Sequence, residues 1–346
     1  MTKTLLVDGD NLFRIGFYGV KNFYNEDKHV GAIYHFLNTI KRHIQTHNYN
    51  KIVVFWDGSE NSSVRRKIFL HYKDNRRSRN LTEQQQESYT YQRVRVKQYL
   101  EELFVRQGEF EYCETDDAVA FYCQNTPEEK KVIFSSDKDL TQLIDDDVSV
   151  FSPVNSYLYE KGDKIELNKV DIPTYNVALT KIFVGDKSDN VDGIYLLGEK
   201  TLVNLFPEIL TEKVTIEDIV SKAEILFNEN KENKVLANLL TGKTKRGVFG
   251  EEFLNINKQI VDLSNPLLTE EAKNDIIDII NEPLDPEDRG WRNLIKMMMD
   301  DGLFKFLPKR DDGWTEFFGP LLKLSRNEKN KYSRTIKRKR NERTRK

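Results

Sequence analysis

Cysteine is nearly absent. Cys113 and Cys123 are the two in 346 residues, and neither belongs to a CxxC or CxxH pattern. Neither a disulfide-stapled nor a zinc-built fold is therefore expected, both thiols read as small core residues, and a reducing cytosolic setting follows. Long apolar runs are missing as well: none approaches the ~20 residues of a membrane span. The opening MTKTLLVDGD enters a strand pattern at once, without the charged-then-apolar layout of a signal peptide. An excess of one charge is also lacking, since the formal net charge is −2, but the charges are unevenly placed. The last fourteen residues, SRTIKRKRNERTRK, hold eight Lys/Arg and one Glu, so a +7 tail follows a body of −9. The tail, about 326–346, is expected to be disordered and to contact nucleic-acid phosphates.

What is abundant is acid at the ends of strand-like runs. Nine such carboxylates fall in five places: Asp8 in LLVDGDNLFR, Asp57 in VVFWDGS, Glu114, Asp116 and Asp117 in ETDDAVAFY, Asp137 and Asp139 in VIFSSDKDL, and Asp186 and Asp189 in VGDKSDN. Residues 3–7, 52–56, 131–134 and 148–151 are short β-branched runs of the kind that form central parallel strands. A helical pattern runs from Gly31 to His47, and Thr115 reads as the cap of a further helix. Alternating strands and helices predict an α/β class with a central, mostly parallel sheet flanked by helices. An acid closing such a strand sits at the carboxyl edge of the sheet, where open α/β folds build their sites. Converging carboxylates need hard cations, so oxygen ligands in this number point to Mg²⁺ or Mn²⁺ and a metal-dependent phosphodiesterase. Ser135 and Ser136 read either as groups orienting these acids or as caps of the next helix.

From Arg65 to Lys97 ten basic residues face three acids, interleaved with Tyr72, Tyr89 and Tyr91. So long a polar connection is too large for an ordinary loop, and its side chains suit phosphates and unpaired bases. After Pro153 the pattern becomes mostly helical. Three divisions are expected: an α/β core over 1–170 with a basic arch at about 60–105, a helical region over 171–325 with a helix–turn–helix at about 171–206, and the tail.

The order DGDN, WDG, RR…HYKDNR, ETDDA, SSDKDL and VGDKSDNVDG…GEKT resembles the flap endonuclease/5′→3′ exonuclease family over about residues 1–265. Within it, the likeness is strongest to the ribonuclease H branch of T-even-type phages, replication nucleases that remove RNA primers. The resemblance implies a PIN/5′-nuclease-like fold and two metal ions. Asp8, Asp57, Glu114, Asp116 and Asp117 would serve the first ion, and Asp139, Asp186 and Asp189 the second, with Asp137 between them. It implies a helical arch whose Lys73 and Arg76 reach the scissile phosphate, with Arg65, Arg66 and Tyr72 as further nucleic-acid contacts. It also implies a duplex-gripping helix–turn–helix in which Gly198, Lys200 and Thr201 meet phosphate, commonly through K⁺. Leu196 stands where the turn's central glycine is expected, which puts K⁺ in doubt. The implied substrates are DNA and RNA–DNA duplexes with 5′ flaps or nicks, handled by a monomer without membrane association. Trp314, Phe317, Phe318, Leu321 and Leu322 form either a docking stripe for a sliding clamp or single-strand-binding protein, or domain core. The competing readings are a PIN-type ribonuclease and a non-catalytic replication DNA-binding protein.

Overall fold

The computed structural model describes residues 2–75, 81–250, 252–284, 289–307 and 313–343. The chain begins β1 (Thr2–Asp8), α1 (Gly9–Gly19), a small hairpin of β2 (Tyr24–Asn25) and β3 (Lys28–His29), α2 (Gly31–Thr46) and β4 (Lys51–Trp56). Then come α3 (Ser63–Ile68), α4 (Glu83–Glu102), β5 (Arg106–Glu109), α5 (Thr115–Gln124), β6 (Glu129–Phe134), β7 (Val148–Ser152) and β8 (Tyr157–Tyr159). One sheet collects six strands in the order β5-β4-β1-β6-β7-β8, all parallel neighbours except the antiparallel β7–β8 edge. The four strands read from sequence are β1, β4, β6 and β7. Strands β5 and β8 escape that reading because they lie at the sheet's two edges and are short, β5 being polar and β8 only three residues long.

Strand alternation sends β1 side chains to two different cores. Leu5 and Val7 pack with Phe36, Trp56 and Tyr99 under α1, α2 and α4. Leu6 packs with Val53, Phe55, Val119 and Ile133 under α5. With helices on both faces, β1 and β4 are buried nearly throughout. The register pairs Leu6 with Val53 and Ile133, so β1, β4 and β6 end at one level and deliver Asp8, Asp57 and Asp137 to one edge.

A second body of helix follows the antiparallel pair β9 (Lys164–Leu167) and β10 (Val170–Pro173). It contains α6 (Val177–Val184), α7 (Glu199–Leu205), α8 (Ile216–Glu229), α9 (Lys234–Leu240) and α10 (Glu252–Val261), which share a core built around Phe183, Leu202, Phe206 and Ile219. The remaining helices do not extend this body, in contrast to the single helical region expected to 325. Instead α11 (Glu270–Asn281) packs on α5, while α12 (Trp291–Asp300) and α13 (Gly313–Arg343) pack against the α/β core at α4 and α2. Phe317, Phe318 and Leu321 are buried there, so this part of the apolar stripe is core and not a free docking face. The segment expected to be disordered from 326 continues α13 as helix to Arg343, the last residue described. Its Glu328 is buried and accepts from Arg106 at 2.8 Å, a tie the tail's charge pattern does not reveal. Among the described residues no helix is long and apolar enough to cross a membrane.

Candidate active site

Asp8 closes β1 and caps α1: Oδ1 accepts from the Asn11 amide at 3.0 Å, and Oδ2 accepts from Ser135 Oγ at 2.9 Å. Asp57 follows β4. Its Oδ1 accepts from both the amide and the hydroxyl of Thr115 at 3.0 Å. Thr115 is thus the first residue of α5 rather than its cap, and Glu114 takes the cap position. That places Glu114, Asp116 and Asp57 around the start of α5. The β6 edge adds Asp137, whose Oδ1 accepts the Asp139 amide at 3.0 Å. From the helical body, the turn after α6 brings Asp186 and Asp189 to the same place.

Asp8, Asp57, Glu114, Asp116, Asp137, Asp139, Asp186 and Asp189 all line one polar pocket of about 100 Å³, together with Asn11, Arg14, Tyr72 and Lys73. Asp117 does not reach it. Arg65 lines it but is buried and spends its guanidinium on Asp117, at 2.5 and 3.0 Å, and on the Ile260 carbonyl. The structure thus places Arg65, read as a backbone-phosphate contact, in a buried ion pair, and Asp117, read as a ligand, outside the pocket as its partner. Tyr72, read as a nucleic-acid contact, is likewise held within the site. At 2 % exposure it has no face for a base, and its hydroxyl lies 3.1 Å from Glu114 Oε2 and 3.0 Å from Asp189 Oδ2.

So much buried negative charge is only partly balanced. Burial, then the charge of Asp57, pushes Asp8 up to about 7. Burial, then Asp137 and Asp186, lifts Asp139 to about 7 in spite of Lys181. Asp116 is raised well above the carboxylate range by burial and by Asp137 and Asp8. Asp57 and Asp186 are held low despite burial, the first mainly by Arg14 and the second by Lys181. Two ammonium groups supply much of the compensation. Lys73 Nζ lies 2.7 Å from Glu114 Oε1, while Lys181 Nζ bridges Asp139 and Asp186. The carboxylates lean toward these partners, and among the described residues no three converge tightly enough to hold an ion as they stand. Their chemistry nevertheless fits hard divalent cations, since the donors are oxygen only and three are pushed up by burial and neighbouring acids.

Several contributors escaped the sequence reading. Asp10 accepts from Arg93 at 2.8 and 2.9 Å and from the Asp57 amide at 2.8 Å, fixing that acid through its backbone. Arg14 reaches Asp57 at 3.4 Å. Arg93 was visible only as one of ten basic residues, and Lys181 lay inside an apolar helix pattern. Ser135 orients Asp8 as one of its two readings had it; Ser136 binds Asn11 instead. Arg66 is exposed and donates to the Tyr72 carbonyl at 3.1 Å. Arg76 lies outside the described residues. Gly198 caps α7, which carries Lys200 and Thr201, and Leu196 in the preceding turn has φ +68°.

Residues 3–171 match the model of the 5′-3′ exonuclease N-terminal, resolvase-like domain. A 5′-3′ exonuclease of Buchnera aphidicola subsp. Schizaphis graminum is 30 % identical over 239 residues, which span 67 % of this chain and 79 % of the relative. The chain belongs to the 5′→3′ exonuclease family. A second 5′→3′ exonuclease, from Halalkalibacterium halodurans, is 28 % identical over 277 residues, 76 % of this chain and 84 % of the relative. The fold matches that of the T5 D15 protein co-crystallized with metal ions, with a TM-score of 0.59 at 21 % identity, covering 87 % of this chain and 98 % of that one. As a 5′→3′ exonuclease the chain draws only part of its pocket from the matched N-terminal domain: Lys181, Asp186 and Asp189 lie beyond residue 171.

Proposed function

We propose that this 5′ nuclease hydrolyses phosphodiesters at the 5′ ends of nicked or flapped duplexes, using two Mg²⁺ ions, or Mn²⁺ in their place. RNA primers of RNA–DNA hybrids are among its substrates during DNA replication. The observation that carries the reading is the gathering of eight carboxylates from both bodies of the molecule around one pocket with a lysine at its edge. Related structures support the metal requirement: divalent zinc in the T5 5′-exonuclease, and metal ions with DNA in a T5 flap endonuclease complex.

Asp8, Asp57, Glu114 and Asp116 would hold one ion and Asp139, Asp186 and Asp189 the other, with Asp137 between. Such ions supply Lewis-acid activation of water and charge stabilisation at phosphorus. The protein's own groups do the rest. Tyr72 ties Glu114 to Asp189 and so links the two groups of ligands. Lys73 has a left-handed backbone, φ +59°, and its amide donates to the Asp189 carbonyl at 2.8 Å; this fixes where its side chain starts. Its ammonium, 2.7 Å from Glu114 Oε1 at the wall of the pocket, would stabilise the developing charge on the scissile phosphate. Arg66 and Arg76 extend that contact along the strand, and Gly198, Lys200 and Thr201 meet the duplex backbone behind the nick.

The test uses a 5′-labelled flapped duplex and a nicked RNA–DNA hybrid, each with Mg²⁺, with EDTA, and with Asp137→Asn. Short 5′ products are expected with Mg²⁺ alone, and Asp137→Asn should lose cleavage while keeping its affinity for DNA. Near-normal turnover by that variant would overturn the assignment.

A further inference from the structure

Between α9 and α10 the chain runs KTKRGVFG (243–250), a segment with basic residues at Lys243, Lys245 and Arg246. It folds as a tight hairpin. Lys243 pairs with Val248, the Thr244 amide donates to the Gly247 carbonyl at 2.7 Å, and the Arg246 amide donates to the Thr244 hydroxyl at 3.0 Å. The hairpin is fastened to the turn before α7, where the Tyr195 amide donates to the Lys243 carbonyl at 2.8 Å. Lys243 and Lys245 are exposed, whereas Arg246 lays its guanidinium on the loop that carries Asp186 and Asp189.

There the guanidinium meets two side chains. One nitrogen lies 3.0 Å from Asp192 Oδ1, and another donates to Asn190 Oδ1 at 2.9 Å. Its central carbon lies 5.4 Å from the centre of the Phe69 ring. A guanidinium can only donate, so it turns the Asn190 oxygen toward itself and leaves the amide nitrogen for another partner. That nitrogen donates to the His71 carbonyl at 2.7 Å. Asn190, whose backbone is left-handed at φ +60°, thereby joins two segments: the loop after α6, with Asp186 and Asp189, and residues 69–75, with Tyr72 and Lys73. Two more hydrogen bonds lace the same segments. The Lys73 amide donates to the Asp189 carbonyl at 2.8 Å, and the Asn75 side chain to the Lys187 carbonyl at 2.7 Å. Asp192 depends on the same guanidinium, since its Oδ2 is buried without a hydrogen-bond partner among the described residues.

We propose that Arg246 is a positioning residue for the nuclease reaction: by orienting Asn190 it holds Lys73 and the Asp186–Asp189 loop at a fixed spacing across the pocket. The inference rests on the 5′-nuclease reading. The role requires a fork, because one planar group serves Asp192 and Asn190 at once. A lysine in its place is a point charge that keeps the pairing with Asp192 but does not also hold the amide. That difference separates positioning from a plain contribution to stability.

The experiment compares the full chain with Arg246→Lys, Arg246→Met, Asn190→Ala and the Arg246→Met/Asn190→Ala pair on a 5′-labelled flapped duplex. It reads DNA affinity in EDTA, the single-turnover rate at saturating DNA in Mg²⁺, and Mn²⁺ binding to the DNA-free protein, followed by the EPR signal of the free ion. Arg246→Lys should melt at the wild-type temperature and bind DNA as wild type does. Its saturated rate and its Mn²⁺ affinity should each fall about tenfold, the lower end of the loss expected when a partner behind the metal ligands is removed. Asn190→Ala should show the same losses, and the pair should be no worse than either single change, because both remove one link. A wild-type rate in Arg246→Lys, a lower melting temperature with an unchanged saturated rate, or additive losses in the pair would each overturn the proposal. So would weaker DNA binding at an unchanged saturated rate, which would make Arg246 a phosphate contact. Failure of the nuclease reading looks different: wild type does not cut, while the Mn²⁺ series still reports whether Arg246 and Asn190 act as one.

Discussion

At the scale of single residues, Leu196 carries a backbone conformation that suits glycine. Its φ of +68° and its 55 % exposure mean that the side chain neither fits the turn nor packs. A non-glycine residue in this region costs about 1–2 kcal/mol, and glycine gives back part of that through unfolded-state entropy. Leu196→Gly should therefore stabilise by about 0.5–1 kcal/mol, read as a higher urea midpoint at constant m-value; a lower midpoint would show that the leucine makes a contact of its own. His43 presents the opposite situation, a residue suited to its place only when neutral. Burial, then His47 and Lys3, lowers it to about 4, and its Nε2 lies 2.7 Å from the Tyr49 hydroxyl. Because the folded value lies below the unfolded one, its contribution is complete above about pH 6.5 and is lost as pH falls toward 4. Wild type should lose about 1–2 kcal/mol between pH 7.5 and 5 that His43→Phe, which cannot charge, does not lose. Parallel stability–pH curves for the two proteins would remove His43 from the account.

Elements are where sequence and structure part company, and α4 shows why. Its basic residues read as an outward nucleic-acid surface, yet Arg93 turns to Asp10 and Glu109, Lys97 to Glu109, and Arg95 to Asp301. Net composition over a window cannot tell a solvated stripe from one whose partners lie 200 residues away. The strand-end acids were legible for a different reason: a buried parallel strand is a continuous apolar run, so the acid that follows it stands out. Asp8, Asp57 and Asp137 were found that way, and the register brings them level. The burial of Arg65 and Tyr72 gave no signal, because a basic-aromatic motif looks alike whether its side chains are exposed or packed into the site. Asp301 gave no signal, although it is 1 % exposed and takes hydrogen bonds from Tyr91, Arg95 and Tyr99, pinning α4 to the loop after α12. Asp301→Leu would leave the buried Tyr99 hydroxyl without its acceptor and take one partner from Tyr91 and the half-buried Arg95, a loss of about 2–3 kcal/mol. Amide exchange should quicken along α4 first, and a variant within 1 kcal/mol of wild type, with α4 protection intact, would show that the apolar core alone holds the helix.

For the whole molecule, the site is a place where two bodies meet through like charges. The α/β core supplies Asp8, Asp57, Asp137 and Asp139, the helical body supplies Asp186 and Asp189, and Lys181 spans the seam between Asp139 and Asp186. Assembling the pocket without cations therefore works against folding. Asp8 and Asp139 have folded values near 7, above their unfolded ones, so their part in stability is whole at low pH and declines as pH rises through 7. Between pH 6.5 and 8, clear of the His43 window, the melting temperature in EDTA should fall. Bound Mg²⁺ should reverse this, because ligation releases those protons and stabilises the folded state in proportion to ln(1 + [Mg²⁺]/Kd). The Mg²⁺-induced rise should consequently be larger at pH 8 than at 6.5. Asp137→Asn removes one of the repelling charges, so in EDTA at pH 8 it should melt about 2–4 °C above wild type, the shift that roughly 1 kcal/mol produces, while responding less to Mg²⁺. A melting temperature in EDTA that is flat over this range, with equal Mg²⁺ increments at both ends, would mean that Lys73 and Lys181 already neutralise the pocket. The carboxylates would then have been gathered at no cost to the fold, and the strain inferred from their crowding would be absent.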